Sequence, residues 1–164
     1  MSAKIDIEIT VNGAVKQVSV PATLSALDML RDQLDLKGAK EACGEGECGA
    51  CTIIVDDVSI CSCLTYAVDC DGRSIETIEG VQTEDGLDPV QQAFVDNGAV
   101  QCGYCTPGMV MQTKHTLANN PNPSTEEIAR GLEGNVCRCT GYRKIIYAVG
   151  EAAAQISTQN SGAK

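Results

Sequence analysis

Ten cysteines stand in a chain of 164 residues, and the spacing of eight of them limits the possible folds more than any other feature. Cys43-Gly-Glu-Gly-Glu-Cys48-Gly-Ala-Cys51 reads C-x4-C-x2-C. Three thiols on so short a segment can converge on one centre only if the backbone curls around it. Gly44, Gly46 and Gly49 supply the permissive φ angles and the bare backbone that such a curl requires. A second set lies far along the chain, as Cys102-Gly-Tyr-Cys105 and Cys137-Arg-Cys139. Its two close pairs supply four further donors.

Disulfides and metal compete as explanations of so many cysteines. Disulfide frameworks belong to oxidising compartments, and the opening Met-Ser-Ala-Lys runs directly into the alternation of Ile5, Ile7 and Ile9 with neither an apolar leader core nor a twin-arginine signal. A reduced, cytoplasmic setting with metal ligands is therefore expected. C-x4-C-x2-C with a later fourth cysteine is the plant-type 2Fe-2S spacing, and eight thiolates in two groups of four fit two such clusters. The fourth donor of the first group stays open on spacing, because Cys61 and Cys63 follow Cys51 after nine and eleven residues and should alternate onto one side of a strand. Cys63 is the choice; Cys61 and Cys70 are read as small buried packing thiols. A structural zinc site also takes four cysteines, usually as two C-x2-C pairs, a pattern that C-x-C at Cys137 and Cys139 breaks.

The rest of the chain supplies the elements that would carry these loops. Residues 4 to 11 alternate, Asn12-Gly13 signals a tight hairpin, and Val15, Val18 and Val20 continue a second strand. Thr23 is placed to cap a helix carrying Leu27, Leu30 and Leu34 and ending near Gly38. Strands are expected at Thr52 to Val55, Val58 to Ile60 and Ser74 to Ile78, giving an α+β unit of one mixed sheet over one helix. From Asp88 the pattern turns helical: Asp88-Pro89, Thr106-Pro107, the capping box Ser124-Thr-Glu-Glu127, and Thr140 each open a helix. Both cysteine pairs of the second set would then precede a Thr-capped helix start, where unpaired N–H groups and the dipole favour the negative charge of a thiolate cluster. The expected organisation is a 2Fe-2S domain at 1–80, a linker at 81–87, and a four-helix 2Fe-2S domain with a short tail at 88–164.

Several functions are excluded by the same reading. A net charge of -10 argues against nucleic acid, and no apolar run approaches the ~20 residues of a membrane span. His115 is the lone histidine, so hydrolytic triads have no candidates, and it is read as a surface or packing residue. No G-x-G-x-x-G or Walker loop is present.

Taken together, CGEGECGAC, QCGYCTPG and CRCTGY resemble the iron-sulfur subunit of the xanthine dehydrogenase family, the molybdenum hydroxylases, over roughly residues 4 to 155. The resemblance implies a β-grasp, plant-type ferredoxin-like domain followed by a four-helix domain. It implies that Cys43, Cys48, Cys51 and Cys63 hold an outer cluster and that Cys102, Cys105, Cys137 and Cys139 hold an inner one. Gln101 and Cys139 would contact molybdopterin on a large partner subunit, and FAD would sit on a medium one, in a hetero-oligomer of three chain types. The chain would pass single electrons from the pterin to flavin or another acceptor, without bond chemistry of its own. A free two-cluster ferredoxin or a zinc-binding interaction module would be the alternatives.

Overall fold

A computed structural model describes residues 4–82 and 86–162; the opening residues 1–3, three positions of the expected linker and the last two of the tail fall outside it. β1 (Lys4–Val11) and β2 (Ala14–Pro21) form the expected antiparallel hairpin, in register from Lys4 opposite Pro21 to Val11 opposite Ala14. Asn12 and Gly13 both take positive φ, 50° and 79°, which is what lets a two-residue turn follow the twist of its strands. β3 (Thr52–Val55), β4 (Val58–Cys61) and β5 (Ser74–Glu76) complete a mixed five-stranded sheet in the order β2-β1-β5-β3-β4, with β5 parallel to β1.

Two local differences from the sequence reading have clear causes. The first helix is capped by Ser25, whose Oγ accepts from the Asp28 N–H at 3.0 Å, and not by Thr23. After one turn, α1 (Ala26–Asp28), it widens into a π turn at Met29–Gln33 and stops short of Gly38, because Asp35 takes a left-handed φ of 56°. β4, secondly, ends at Cys61, so Cys63 lies in the turn that follows and not on the strand.

The helices are α2 (Pro89–Asp96), α3 (Thr106–Asn119), α4 (Thr125–Gly131) and α5 (Arg143–Gly162). Asp88 and Ser124 cap α2 and α4 with capping boxes, as their sequences foretell. Thr140 does not open α5. Gly141 and Tyr142 have φ of 63° and 66°, outside helical space, and the Thr140 hydroxyl turns to the Cys137 sulfur at 3.1 Å.

Buried side chains form two groups. Ile7, Ile9, Val20, Leu27, Met29, Leu30, Ile53 and Ile75 fill one; Val90, Phe94, Met109, Met111, Leu132, Ile145 and Val149 fill the other, joined by Ile54 from β3 and Val81 from the expected linker. Every residue of β3 is buried. Alternation along that strand sends Ile53 and Val55 into the first core and Ile54 into the second. One strand thus serves both halves, and it leads directly out of the first cysteine loop.

Candidate metal centres

Between Cys43 and Cys51 the backbone curls as its glycines require, with Gly44, Gly46 and Gly49 at φ of 68°, 77° and 65°. The curl turns backbone N–H groups inward. That of Glu45 reaches the Cys43 sulfur at 3.4 Å, and it is the largest influence bringing the Cys43 thiol down to about 7, assisted by the Cys48 thiol and by the N–H groups of Glu47 and Cys48. Donors that favour one thiolate here would equally favour the negative sulfurs of a cluster.

The fourth side of this loop is closed by Ser62, which is fully buried and donates from Oγ to the Cys51 carbonyl at 2.7 Å. The thiols of its neighbours on both sides feel the Cys51 thiol. Burial first, then Cys51, pushes Cys63 up to about 12, opposed by the Gly46 N–H aimed at its sulfur. Burial first, then the charges of Cys51, Cys48 and Cys43, pushes Cys61 up to about 11, and its thiol donates to the Gly46 carbonyl at 3.5 Å. Five thiols therefore gather here where the sequence reading placed four. Cys70 behaves as expected: it is buried, with its thiol on the Tyr66 carbonyl at 3.8 Å.

In the second set, two remote segments meet pairwise. Cys137 acts on the Cys105 thiol, and Cys102 on that of Cys139. Burial raises Cys105 to about 12, with the Cys137 contact adding to it. Burial also acts upward on Cys137, but the hydroxyl and N–H of Thr140, the N–H of Cys139 and the Cys105 thiol outweigh it and bring this thiol down. The Tyr142 hydroxyl locks the turn, accepting from the Cys137 N–H at 2.8 Å and donating to the Asn135 carbonyl at 3.0 Å. Among the described residues no three His, Cys, Asp or Glu side chains close around a single metal-ion position. Gln101, Cys102 and Cys139 are exposed at this end, beside Tyr104 and Val136.

The two sets touch. The Val136 N–H donates to the Cys48 carbonyl at 2.8 Å. Asn135, 3% exposed, donates from Nδ2 to the Gly49 carbonyl at 2.8 Å and to Thr52 Oγ1 at 3.2 Å. α3 presses its first turn against the same point: a Cβ on Gly108 would lie 2.1 Å from the Gly49 carbonyl oxygen. On the outside, the Tyr104 hydroxyl donates to the Glu41 carbonyl, and His115 Nδ1 to the Asp57 carbonyl at 3.0 Å. Sequence reading missed Ser62, Gly108, Asn135 and Tyr142. Gly108 and Tyr142 stand within the quoted QCGYCTPG and CRCTGY motifs and Ser62 and Asn135 close to cysteines, but nothing local assigns them a role, since their partners lie up to 86 residues away.

The donor set fits iron-sulfur chemistry: thiols only, N–H groups directed at sulfur, and a glycine-lined loop. Comparison with known proteins agrees. The 2Fe-2S iron-sulfur cluster binding domain matches residues 9–74 and the 2Fe-2S binding domain matches residues 77–150. The small subunit of nicotine 6-hydroxylase from Paenarthrobacter nicotinovorans is 44% identical, over 97% of this chain and 96% of its own length. The xanthine dehydrogenase iron-sulfur-binding subunit of Escherichia coli O157:H7 is 48% identical over 90% of this chain and 94% of its own. Among solved structures, quinoline 2-oxidoreductase from Pseudomonas putida 86 superposes with a TM-score of 0.92 at 40% identity, covering 96% of this chain and 98% of that one.

Proposed function

Since the chain belongs to the iron-sulfur subunits of the xanthine dehydrogenase, or molybdenum hydroxylase, family, we propose that it is the electron conduit of such an oxidoreductase, with the ligands divided as follows. Cys43, Cys48, Cys51 and Cys63 hold one 2Fe-2S cluster; Cys102, Cys105, Cys137 and Cys139 hold the other. A 2Fe-2S cluster bound by four thiolates takes up and releases one electron at a time. The observation that carries this reading is the 2.8 Å bond from the Val136 N–H to the Cys48 carbonyl. Val136 adjoins Cys137, and Cys48 is itself a donor, so a continuous bonded path links the two thiol groups.

Gly46 supports Cys63 over Cys61 as the fourth donor of the first site. Its N–H addresses the Cys63 sulfur, as suits a thiolate, while its carbonyl accepts from the Cys61 thiol, as suits a protonated one. The protein's own part is to fix these donors, shield Cys51 and Cys137 from water, and direct N–H and O–H groups at sulfur.

The first half is a β-grasp ferredoxin-like domain at 1–80, and the second a four-helix domain at 88–164 joined by 81–87; the separate cores support this division. Gln101 and Cys139 face molybdopterin on a large subunit, and a medium subunit carries FAD, in an assembly of three chain types. The exposure of both residues at the second site supports the pterin contact. A reducing, cytoplasmic location would suit cysteines that serve as cluster ligands. Co-purification with partners, followed by analysis for iron, acid-labile sulfide, molybdenum and flavin, tests the whole reading. EPR of the reduced protein should give two distinct signals; a colourless zinc protein, or a monomer isolated without partners, would overturn it. Gln101→Ala should leave iron content intact and slow reduction of the clusters from the pterin side, and unaltered turnover removes Gln101 from the contact.

A further inference from the structure

The bond from the Val136 N–H to the Cys48 carbonyl joins the two thiol groups, but the Val136 side chain is 52% exposed and gives that bond little anchorage. Its neighbours hold it. The buried Asn135 side chain donates to the Gly49 carbonyl at 2.8 Å and to Thr52 Oγ1 at 3.2 Å. From the other side one hydroxyl spans the segment: Tyr142 Oη donates to the Asn135 carbonyl at 3.0 Å and accepts from the Cys137 N–H at 2.8 Å. The Asn135 carbonyl and the Val136 N–H belong to the same peptide group. Hydrogen bonds therefore run unbroken from the Cys137 N–H through the Tyr142 hydroxyl and that peptide to the Cys48 carbonyl. Tyr142 reaches this position at a conformational cost, with φ of 66° directly after Gly141 at 63°, a region that bulky side chains rarely enter. Strain of this kind persists only where the surroundings over-determine it. Here the Tyr142 N–H donates to Thr140 Oγ1 at 3.3 Å, its carbonyl accepts from the Ile146 N–H at 2.8 Å, and its side chain packs on the second core.

We propose that Tyr142 is a positioning residue for electron passage between the two sites, its hydroxyl holding the Asn135–Val136 peptide so that the Val136 N–H stays bonded to the Cys48 carbonyl. The proposal rests on the ligand assignment above and deepens it. The hydroxyl acts in two ways. It ties Asn135 to Cys137, which fixes the place of the residue between them. By donating to the Asn135 carbonyl it also polarises the peptide and makes the Val136 N–H a stronger donor, since linked hydrogen bonds reinforce one another. One electron leaves the second site as one arrives at the first; no bond of the protein forms or breaks, and Tyr142 keeps its proton throughout. Thr140 has a different task. Its hydroxyl bonds the Cys137 sulfur and so bears on the potential, whereas the Tyr142 hydroxyl bonds main-chain atoms and bears on the rate.

Tyr142→Phe tests this, because it keeps the ring on the core and removes only the hydroxyl. The full chain with its partners is reduced by a pulse of photoexcited deazaflavin, and rapid-freeze EPR follows the electron from one site to the other. Hydrogen exchange of the peptide from Asn135 to Tyr142, read by mass spectrometry, reports the hold on the Val136 and Cys137 N–H groups. The variant should match the unaltered protein in iron per chain, in both EPR signals and in both potentials. Exchange in the segment should be faster and passage between the sites several-fold slower. An unaltered rate overturns the proposal, as does unaltered exchange. Slower passage that comes with a shifted potential or with loss of second-site iron also overturns it, since Tyr142 would then be a support of that site and not of the path. Absence of two signals in the unaltered protein instead brings down the ligand assignment, and the proposal with it.

Discussion

The two thiol groups of this chain reach similar donor sets by opposite means. The first is drawn from one short loop whose shape is written in its glycines, with one residue of the turn after β4 to complete it. The second is assembled from segments more than thirty residues apart in sequence, Cys102–Cys105 and Cys137–Cys139, brought together by helix packing. The lesson is that local backbone chemistry can build a site only where spacing is short; elsewhere the core must do it. The two also differ in their hydrogen bonds to sulfur. Backbone N–H groups serve Cys43, whereas Cys137 relies on a side chain, Thr140, as well.

The largest effect is expected from Cys105→Ala, which should remove the second cluster and about half the iron while the first signal persists. Metal analysis with EPR checks it, and loss of both signals would show that the two regions fold as a single unit. Next comes the point where they touch. Gly108→Ala would drive a methyl group into the Gly49 carbonyl, and should cost about 2 kcal/mol and lower Tm by about 4–8 °C. Asn135→Ala leaves the Gly49 carbonyl short of a buried donor and should cost about 1–3 kcal/mol in denaturant melts; an unchanged midpoint would place the join elsewhere.

Thr140→Val sharpens the contrast in wiring. Removing the hydroxyl from the Cys137 sulfur takes away roughly 1 kcal/mol of stabilisation of the reduced, more negative cluster, so the second potential should fall by about 40 mV. Redox titration followed by EPR should find the first potential unmoved. The smallest change is His115→Ala, whose exposed bond to Asp57 spans the same two halves and should matter by about 0.5 kcal/mol or less. A larger loss would mean that the surface, and not Asn135, holds the halves together.

Much of the site could be read without coordinates. C-x4-C-x2-C, the hairpin at Asn12-Gly13 and the capping boxes at Asp88 and Ser124 are local patterns, and each appears where its residues put it. The misread helix starts share one cause. Thr23 and Thr140 are both good caps by type, but Ser25 and a left-handed Gly141-Tyr142 pair hold those positions, because cap choice depends on which hydroxyl the surrounding packing leaves free.

The amino-acid sequence alone determined the number and kind of donors, the curl of the first loop and the succession of sheet and helices, because thiol chemistry, glycine φ angles and hydrophobic period act over a few residues. Only the tertiary structure decided that Cys61 stands with the donors, that β3 is shared by both cores and that Val136 meets Cys48. Those are contacts between segments tens of residues apart, and their geometry is set by how two cores settle on one strand, a property that no single stretch of chain contains.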